Sequence, residues 1–163
     1  MRYAAYGSNL HPARLQKRTG PAELLGTAAL TDMELRFHKR GNLDGSGKGN
    51  IIKRTGRTVH VAVFEVSEPG IQELDKAEGV GSGYEKDLIV VPNFGPCLTY
   101  LAQATHIDES LMPFTWYREL VLAGCRYHGF PEDYVHSISS QESVTDPDAD
   151  RHGRHLQLLE SLV

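Results

Sequence analysis

The segment Thr58 to Val66, TVHVAVFEV, constrains the fold of this chain more than any other stretch. β-Branched and aromatic residues dominate it, so it reads as a strand. Arg2 to Tyr6 is a shorter strand of the same kind. The run ELLGTAALTDMELRFHKR reads as two strands broken at Thr31-Asp32, with Leu35 and Phe37 alternating against Glu34, Arg36 and His38. Strand character recurs at Asn50 to Lys53, and YEKDLIVVP and CLTYLAQA form a hairpin through Asn93 to Pro96. Helical patterns are fewer and later. LHPARLQKRTG has Pro12 in its first turn and stops at Gly20, and SEPGIQELDKAEG opens on Ser67 as N-cap with Pro69 behind it. From Pro113 onward PFTWYRELVLAG, PEDYVHSI and RHGRHLQLLESL are all helical in pattern. Strands early and helices late predict an α+β fold: a small mixed or antiparallel sheet, curled into a β-barrel, with helices around it.

Length and charge narrow the function. The 163 residues suit one domain, 1–163. A net charge of -4 leaves no basic surplus for a phosphate backbone, so no nucleic-acid partner is expected. Cys97 and Cys125 stand in no metal or disulfide spacing. No basic-then-apolar leader and no apolar run of about 18 residues occurs, so the expectation is a cytoplasmic protein with no membrane partner. GNLDGSGKGN fails as a phosphate loop because Gly49 follows Lys48, and it reads as a lid or surface loop. His152 and His155, near Asp146, Asp148 and Asp150, read as a solvated polar tail rather than a metal site. No metal and no cofactor is expected. Oligomeric state stays open, with a homodimer one option.

Glu78 is the residue that departs from its local pattern. Ile71 and Leu74 define the apolar stripe of the helix after Ser67, and position 78 continues that stripe. A carboxylate thus stands where the pattern asks for leucine, in a last turn whose dipole is negative. Burial and dipole both disfavour its charged form, which is the tuning a general acid/base needs. The structural alternatives are a frayed helix end reaching water, or a pair with a buried arginine. Asp75, at the stripe's edge, is the competing carboxylate.

The N-terminal YAAYGSNL runs from a strand into a Gly-Ser-Asn turn ahead of a helix. Glycine admits close backbone approach, and free N–H groups there attract an anion. Ser8 and Asn9 equally suit helix capping.

Together, YAAYGSNL and LDKAEGVGSGYEK resemble the γ-glutamylcyclotransferase (AIG2-like) family, and the likeness extends to about residue 137. The resemblance implies a small mixed β-barrel with surrounding helices and an enzyme without cofactor. It implies Glu78 as catalytic acid/base, Tyr6, Gly7, Ser8, Asn9 and Leu10 as the substrate-binding loop, and Tyr84 and Tyr117 as cavity tyrosines. The implied partner is a small-molecule γ-glutamyl substrate. Its α-amine attacks its own γ-carbonyl, giving 5-oxoproline and a free amine or amino acid. A silent small-molecule-binding module of the same fold is the alternative. The segment 139–163 matches nothing assigned and is expected to be helical at its end.

Overall fold

The computed structural model describes all 163 residues. The chain runs β1 (Arg2–Ala5), α1 (Pro12–Thr19), β2 (Ala22–Arg40), β3 (Gly47–Val66), α2 (Glu68–Glu78), β4 (Tyr84–Val91), β5 (Gly95–Ala102), α3 (Thr115–Tyr127), α4 (Glu132–Ser139) and α5 (Ala149–Glu160). The five strands form one mixed sheet in the order β2-β3-β1-β5-β4. β1 lies antiparallel to β3 and parallel to β5.

The expected break at Thr31-Asp32 is a bulge inside one long strand. The register shifts between Thr31 and Met33, where Asp32 takes a positive φ of 56°. Its carboxylate accepts from Gly56 N–H at 2.8 Å, so the turn-like composition is absorbed within a continuous ladder. The glycine-rich loop is likewise shorter than expected. Gly47 to Asn50 belong to β3, with Gly47 opposite Arg40 and Lys48 opposite Lys39. A Cβ on Gly47 would stand 2.3 Å from Phe37 O, so glycine here permits close strand approach.

Both faces of β3 are buried, for two different reasons. Phe64 and Val66 join a large core, with Tyr3 and Ala5 of β1, that the helices cover. Val59, Val61 and Val63 join a smaller core with Ala4, Tyr6, Leu30 and Ile51. No helix supplies that second core. It is closed by the sheet curling on itself, which brings Leu30 and Met33 of β2 toward Ile89 and Val90 of β4 around a shared hollow. β2 and β4 nevertheless remain unpaired edges, so the expected barrel does not close in hydrogen bonds. The α+β class and the mixed sheet stand. Closure fails because a bulged, twisted ribbon meets β4 through side chains only.

α2 starts and stops as its sequence predicts. Ser67 Oγ accepts from Gly70 N–H, and Gly79 is left-handed at φ 66°. α1 likewise begins at Pro12 and stops at Gly20, but its cap is His11, whose Nδ1 accepts from Ala13 N–H at 3.2 Å, so Ser8 and Asn9 are released from capping. The C-terminal segment is no solvated tail. Leu158, Leu159 and Leu162 pack against the large core. His155 stacks on Trp116 with ring centroids 3.5 Å apart, and Arg151 grips the buried Asp146 with both nitrogens at 2.6 and 2.7 Å. No group of His, Cys, Asp and Glu side chains gathers to hold a metal. No helix is long and apolar enough to cross a membrane.

Two packing details yield predictions. Gly124 of α3 lies directly on the turn after β1, and a Cβ there would stand 2.3 Å from Leu10 Cβ. Glycine to alanine in a helix ordinarily gains about 1 kcal/mol. Gly124→Ala should instead destabilise by about 1–3 kcal/mol through overpacking, read as a lower urea midpoint at unchanged slope. Burial, with Arg14 and Lys48 nearby, holds His155 down from 6.5 to about 4. The unfolded chain binds the extra proton first, so stability should fall as pH drops from 6.5 toward 4. His155→Phe, which keeps the stack, should flatten that part of a melting-temperature profile.

Candidate active site

The site assembles where three ends meet: the turn after β1, the last turn of α1 and the last turn of α2. Glu78 Oε1 accepts from Asn9 Nδ2 at 2.9 Å and from an Arg18 guanidinium nitrogen at 2.7 Å. The same Arg18 nitrogen also donates to Asn9 Oδ1 at 3.1 Å, closing a triangle of three side chains. Asn9 spends its second amide proton on Tyr3 Oη at 3.1 Å. Both partners use Oε1, and Oε2 accepts no hydrogen bond from the protein. A carboxylate clamped by one oxygen and free at the other is oriented and still able to take a proton. The arginine pairing thus coexists with a site. Asp75 is committed elsewhere, to Tyr100 Oη and to Lys86, both at 2.8 Å.

The turn faces Glu78. Leu10 N–H closes it on Gly7 O at 3.1 Å, while the N–H groups of Gly7, Ser8 and Asn9 meet no protein acceptor. Ser8 and Asn9 are themselves buried, so their donors are withdrawn from bulk water. Across from them Gly49 of β3 acts as a hub. Its N–H donates to Tyr117 Oη at 2.9 Å, and its carbonyl accepts from Tyr84 Oη. Tyr6 Oη donates to the Tyr100 carbonyl and so ties the end of β1 to β5. Burial raises all of these phenols, Tyr117 to about 12, so they remain protonated donors at neutral pH.

Two connected spaces result. An inner chamber of about 20 Å³ lies among Tyr3, Tyr6, Gly7, Asn9, Gly49 and Tyr100. An outer cleft of about 340 Å³ lies beneath the loop 41–44, α1 and α5. Ser8, Glu78, Tyr84 and Tyr117 line both and form the neck between them. The cleft is cationic. Lys48 is paired with Asp44 at 2.8 Å and Arg151 with Asp146, but Lys39 and Arg14 have no carboxylate partner. Lys39 lies over the Tyr84 ring at 4.4 Å. Burial lowers both cations, Arg14 to about 10, which leaves Arg14 charged at neutral pH.

Of the residues expected from sequence, Glu78, Tyr6, Gly7, Ser8, Asn9, Tyr84 and Tyr117 converge on one cavity. Leu10 does not. It is fully buried in the large core, and its carbonyl accepts from His128 Nε2 at 2.7 Å. It anchors the turn from behind. The glycine-rich loop does reach the site, roofing the outer cleft. Three cations went unread. Arg14 and Arg18 are a like-charge i, i+4 pair on α1, a costly arrangement on a helix. Lys39 falls at the next position of the Leu35–Phe37 alternation in the sequence, although the β2–β3 register slips between Arg36 and Lys39 and His38 is buried as well.

A model of the AIG2-like family matches residues 58–138. The curated γ-glutamylcyclotransferase of Bos taurus is 30% identical over 149 residues, covering 86% of this chain and 78% of that protein. The chain belongs to the γ-glutamylcyclotransferase family. The Homo sapiens member is 28% identical over the same length. Among solved structures, one titled γ-glutamyl cyclotransferase superposes with a TM-score of 0.85 over 99% of this chain and 98% of that one, at 24% identity. An uncharacterized Homo sapiens protein superposes at 0.80, also at 24% identity, over 98% of this chain and 97% of that one. The open sheet and five helices are therefore the fold of this family.

The Arg18–Glu78 pair is only partly exposed, 24% and 15%, so its removal should cost more than a surface bridge and less than a dry one. Arg18→Met is expected to destabilise by about 1–3 kcal/mol. In a double-mutant cycle with Glu78→Gln, urea unfolding should reveal a coupling of about 1 kcal/mol or more.

Proposed function

We propose that this protein is a γ-glutamylcyclotransferase, converting a γ-glutamyl amino acid or γ-glutamyl amine to 5-oxoproline and the free amine, with Glu78 as base and then acid. The observation that carries the reading is that Glu78, whose Oε2 is free of protein partners, lines one cavity with Gly7, Ser8 and Asn9, whose N–H groups meet no protein acceptor.

The chemistry follows from those groups. The substrate's α-amine attacks its γ-carbonyl carbon, forming the ring C–N bond. Glu78 Oε2 takes the proton that the attacking nitrogen sheds and delivers it to the departing nitrogen as the old amide bond breaks. Arg18 and Asn9 hold the carboxylate in place through Oε1, so it is positioned for both transfers. The turn N–H groups receive the negative charge that develops on the carbonyl oxygen, or grip the glutamyl carboxylate. Because the attack is intramolecular, folding the glutamyl chain into its ring-closing shape supplies much of the acceleration. The inner chamber is smaller than a glutamyl chain, so the reacting atoms lie across the neck, between Glu78, Tyr84 and Tyr117.

The test is 5-oxoproline release from a panel of γ-glutamyl amino acids and γ-glutamyl amines. Turnover is expected on at least one, and Glu78→Gln should lower kcat by about 10²–10⁴-fold in a protein that still melts cooperatively, its stability reduced only by the lost ion pair with Arg18. Full activity in Glu78→Gln overturns the role of that residue. Thermal stabilisation by γ-glutamyl compounds with no turnover identifies the binding-module alternative instead.

A further inference from the structure

One histidine joins the substrate turn to α1. Leu10 N–H closes the turn on Gly7 O, and the next residue, His11, is the cap of the helix. Pro12 contributes no N–H, so the bond from Ala13 N–H to His11 Nδ1 at 3.2 Å anchors the first turn of α1. The His11 carbonyl accepts from Leu15 N–H at 3.0 Å, so this residue holds the helix start through side chain and backbone together. The imidazole is buried against the Tyr127 ring of α3, with centroids 4.7 Å apart. A Cβ on Gly124 would stand 2.9 Å from His11 N, so α3 leaves the backbone here little room to move.

A backbone N–H only donates, so Nδ1 is bare and the capping ring is neutral. Protonation sets a second donor against Ala13 N–H and puts a positive charge at the positive end of α1. Tyr127 and His128, at the end of α3, are the titratable side chains that face the ring, and the Leu162 backbone is its neighbour after α5. Burial holds the His11 pKa below 6.5, the Leu162 backbone pulls it up, and the nearby His128 pushes it down again. His128 keeps its own bond in either charge state, because its Nε2–H donates to Leu10 O at 2.7 Å.

We propose that His11 is a positioning residue for the turn: its neutral imidazole, by capping α1, holds residues 7–9 in the shape that receives the substrate, and its protonation releases that shape. This rests on the cyclotransferase reading, which makes the turn a substrate grip. Cap and turn share the Leu10–His11 backbone, so a fraying first turn of α1 pulls on Leu10 and on its closing bond to Gly7 O. Ser8 and Asn9 then compete for the exposed helix donors, since both are favoured caps. Asn9 recruited in this way leaves Glu78 Oε1 and Tyr3 Oη. The fraction of enzyme with a competent turn falls, and apparent affinity falls with it. Bound substrate restores the turn and His11 touches no reacting atom, so the effect appears in KM, while the protonation of Glu78 governs kcat.

The test follows KM and kcat for a γ-glutamyl amino acid from neutral pH to the acid side. Wild-type KM should rise about two- to five-fold as pH falls below 6.5, a factor comparable to the loss of one helix cap. His11→Asn keeps a capping acceptor that does not titrate, so its KM should match the wild type at neutral pH and stay level below it. His11→Leu keeps bulk against Tyr127 without an acceptor, so its KM should be raised by about the same factor at every pH, with kcat within about two-fold of the wild type. Melting curves verify that both variants fold. In ¹⁵N–¹H spectra recorded without substrate, the amide signals of Gly7, Ser8 and Asn9 should shift with one pH midpoint in the wild type and hold still in His11→Asn. A flat wild-type KM, the same acid rise in His11→Asn, or an unchanged KM in His11→Leu overturns the positioning role and leaves the cyclotransferase reading intact. Failure of every γ-glutamyl compound to release 5-oxoproline counts against the parent reading instead. The amide titration then decides the coupling by itself: a midpoint lost in His11→Asn upholds it, and one that persists overturns it.

Discussion

Everything in the site hangs on one carboxylate oxygen. Glu78 Oε1 holds Asn9 from the turn after β1 and Arg18 from α1, and Arg18 holds Asn9 in return. Three segments that share no strand pairing are thereby locked into one geometry. The triangle offsets the cost of burying Glu78 at the negative end of α2, and it does so without consuming the second oxygen. Release of Ser8 and Asn9 from helix capping is part of the same arrangement. His11 takes over the cap, which frees the Asn9 side chain to reach Glu78 and leaves the turn's N–H groups open.

The sheet supplies the opposite wall through a glycine. Gly49 brings a bare backbone against Tyr84 and Tyr117, and a Cβ there would stand 3.3 Å from Tyr117 Oη. A side chain would crowd the neck, so the permissiveness that looks like loop composition serves a strand that must pass close to a site. Leu10 and Gly124 complete the support from behind, where α3 meets the turn with no side chain between them. Rigidity of the turn is therefore a packing property of the large core. The outer cleft follows a different principle: its charges are left over rather than balanced, a local conflict of the kind that marks where a ligand completes the structure.

Much of the site could be read from the chain because its signals are local. Glu78 is conspicuous against Ile71 and Leu74, Ser67 and Gly79 bracket its helix, and the Gly-Ser-Asn turn carries its own chemistry. Lys39 and the Arg14/Arg18 pair obey the same logic and were open to it, but a lysine at the end of a basic run and an arginine in a last turn, as Arg18 is, have ordinary explanations. The fold class was equally legible, since strand and helix patterns were separated along the chain. Boundaries were less so: Asp32 and Gly47 look like strand breakers, and only the ladder between β2 and β3 turns one into a bulge and the other into a strand residue.

By itself the sequence determined the elements, the caps of α2 and the misplaced carboxylate, because each depends on residues within a turn or two of one another. Tertiary structure alone decided that Arg18, 60 residues from Glu78, is its partner, that Leu10 serves the core instead of the cavity, and that the sheet curls without closing. It also decided which cations of the cleft find carboxylates and which do not. Those outcomes depend on distances between segments far apart in the chain, and such distances are set by packing two cores on one sheet, which no local pattern encodes.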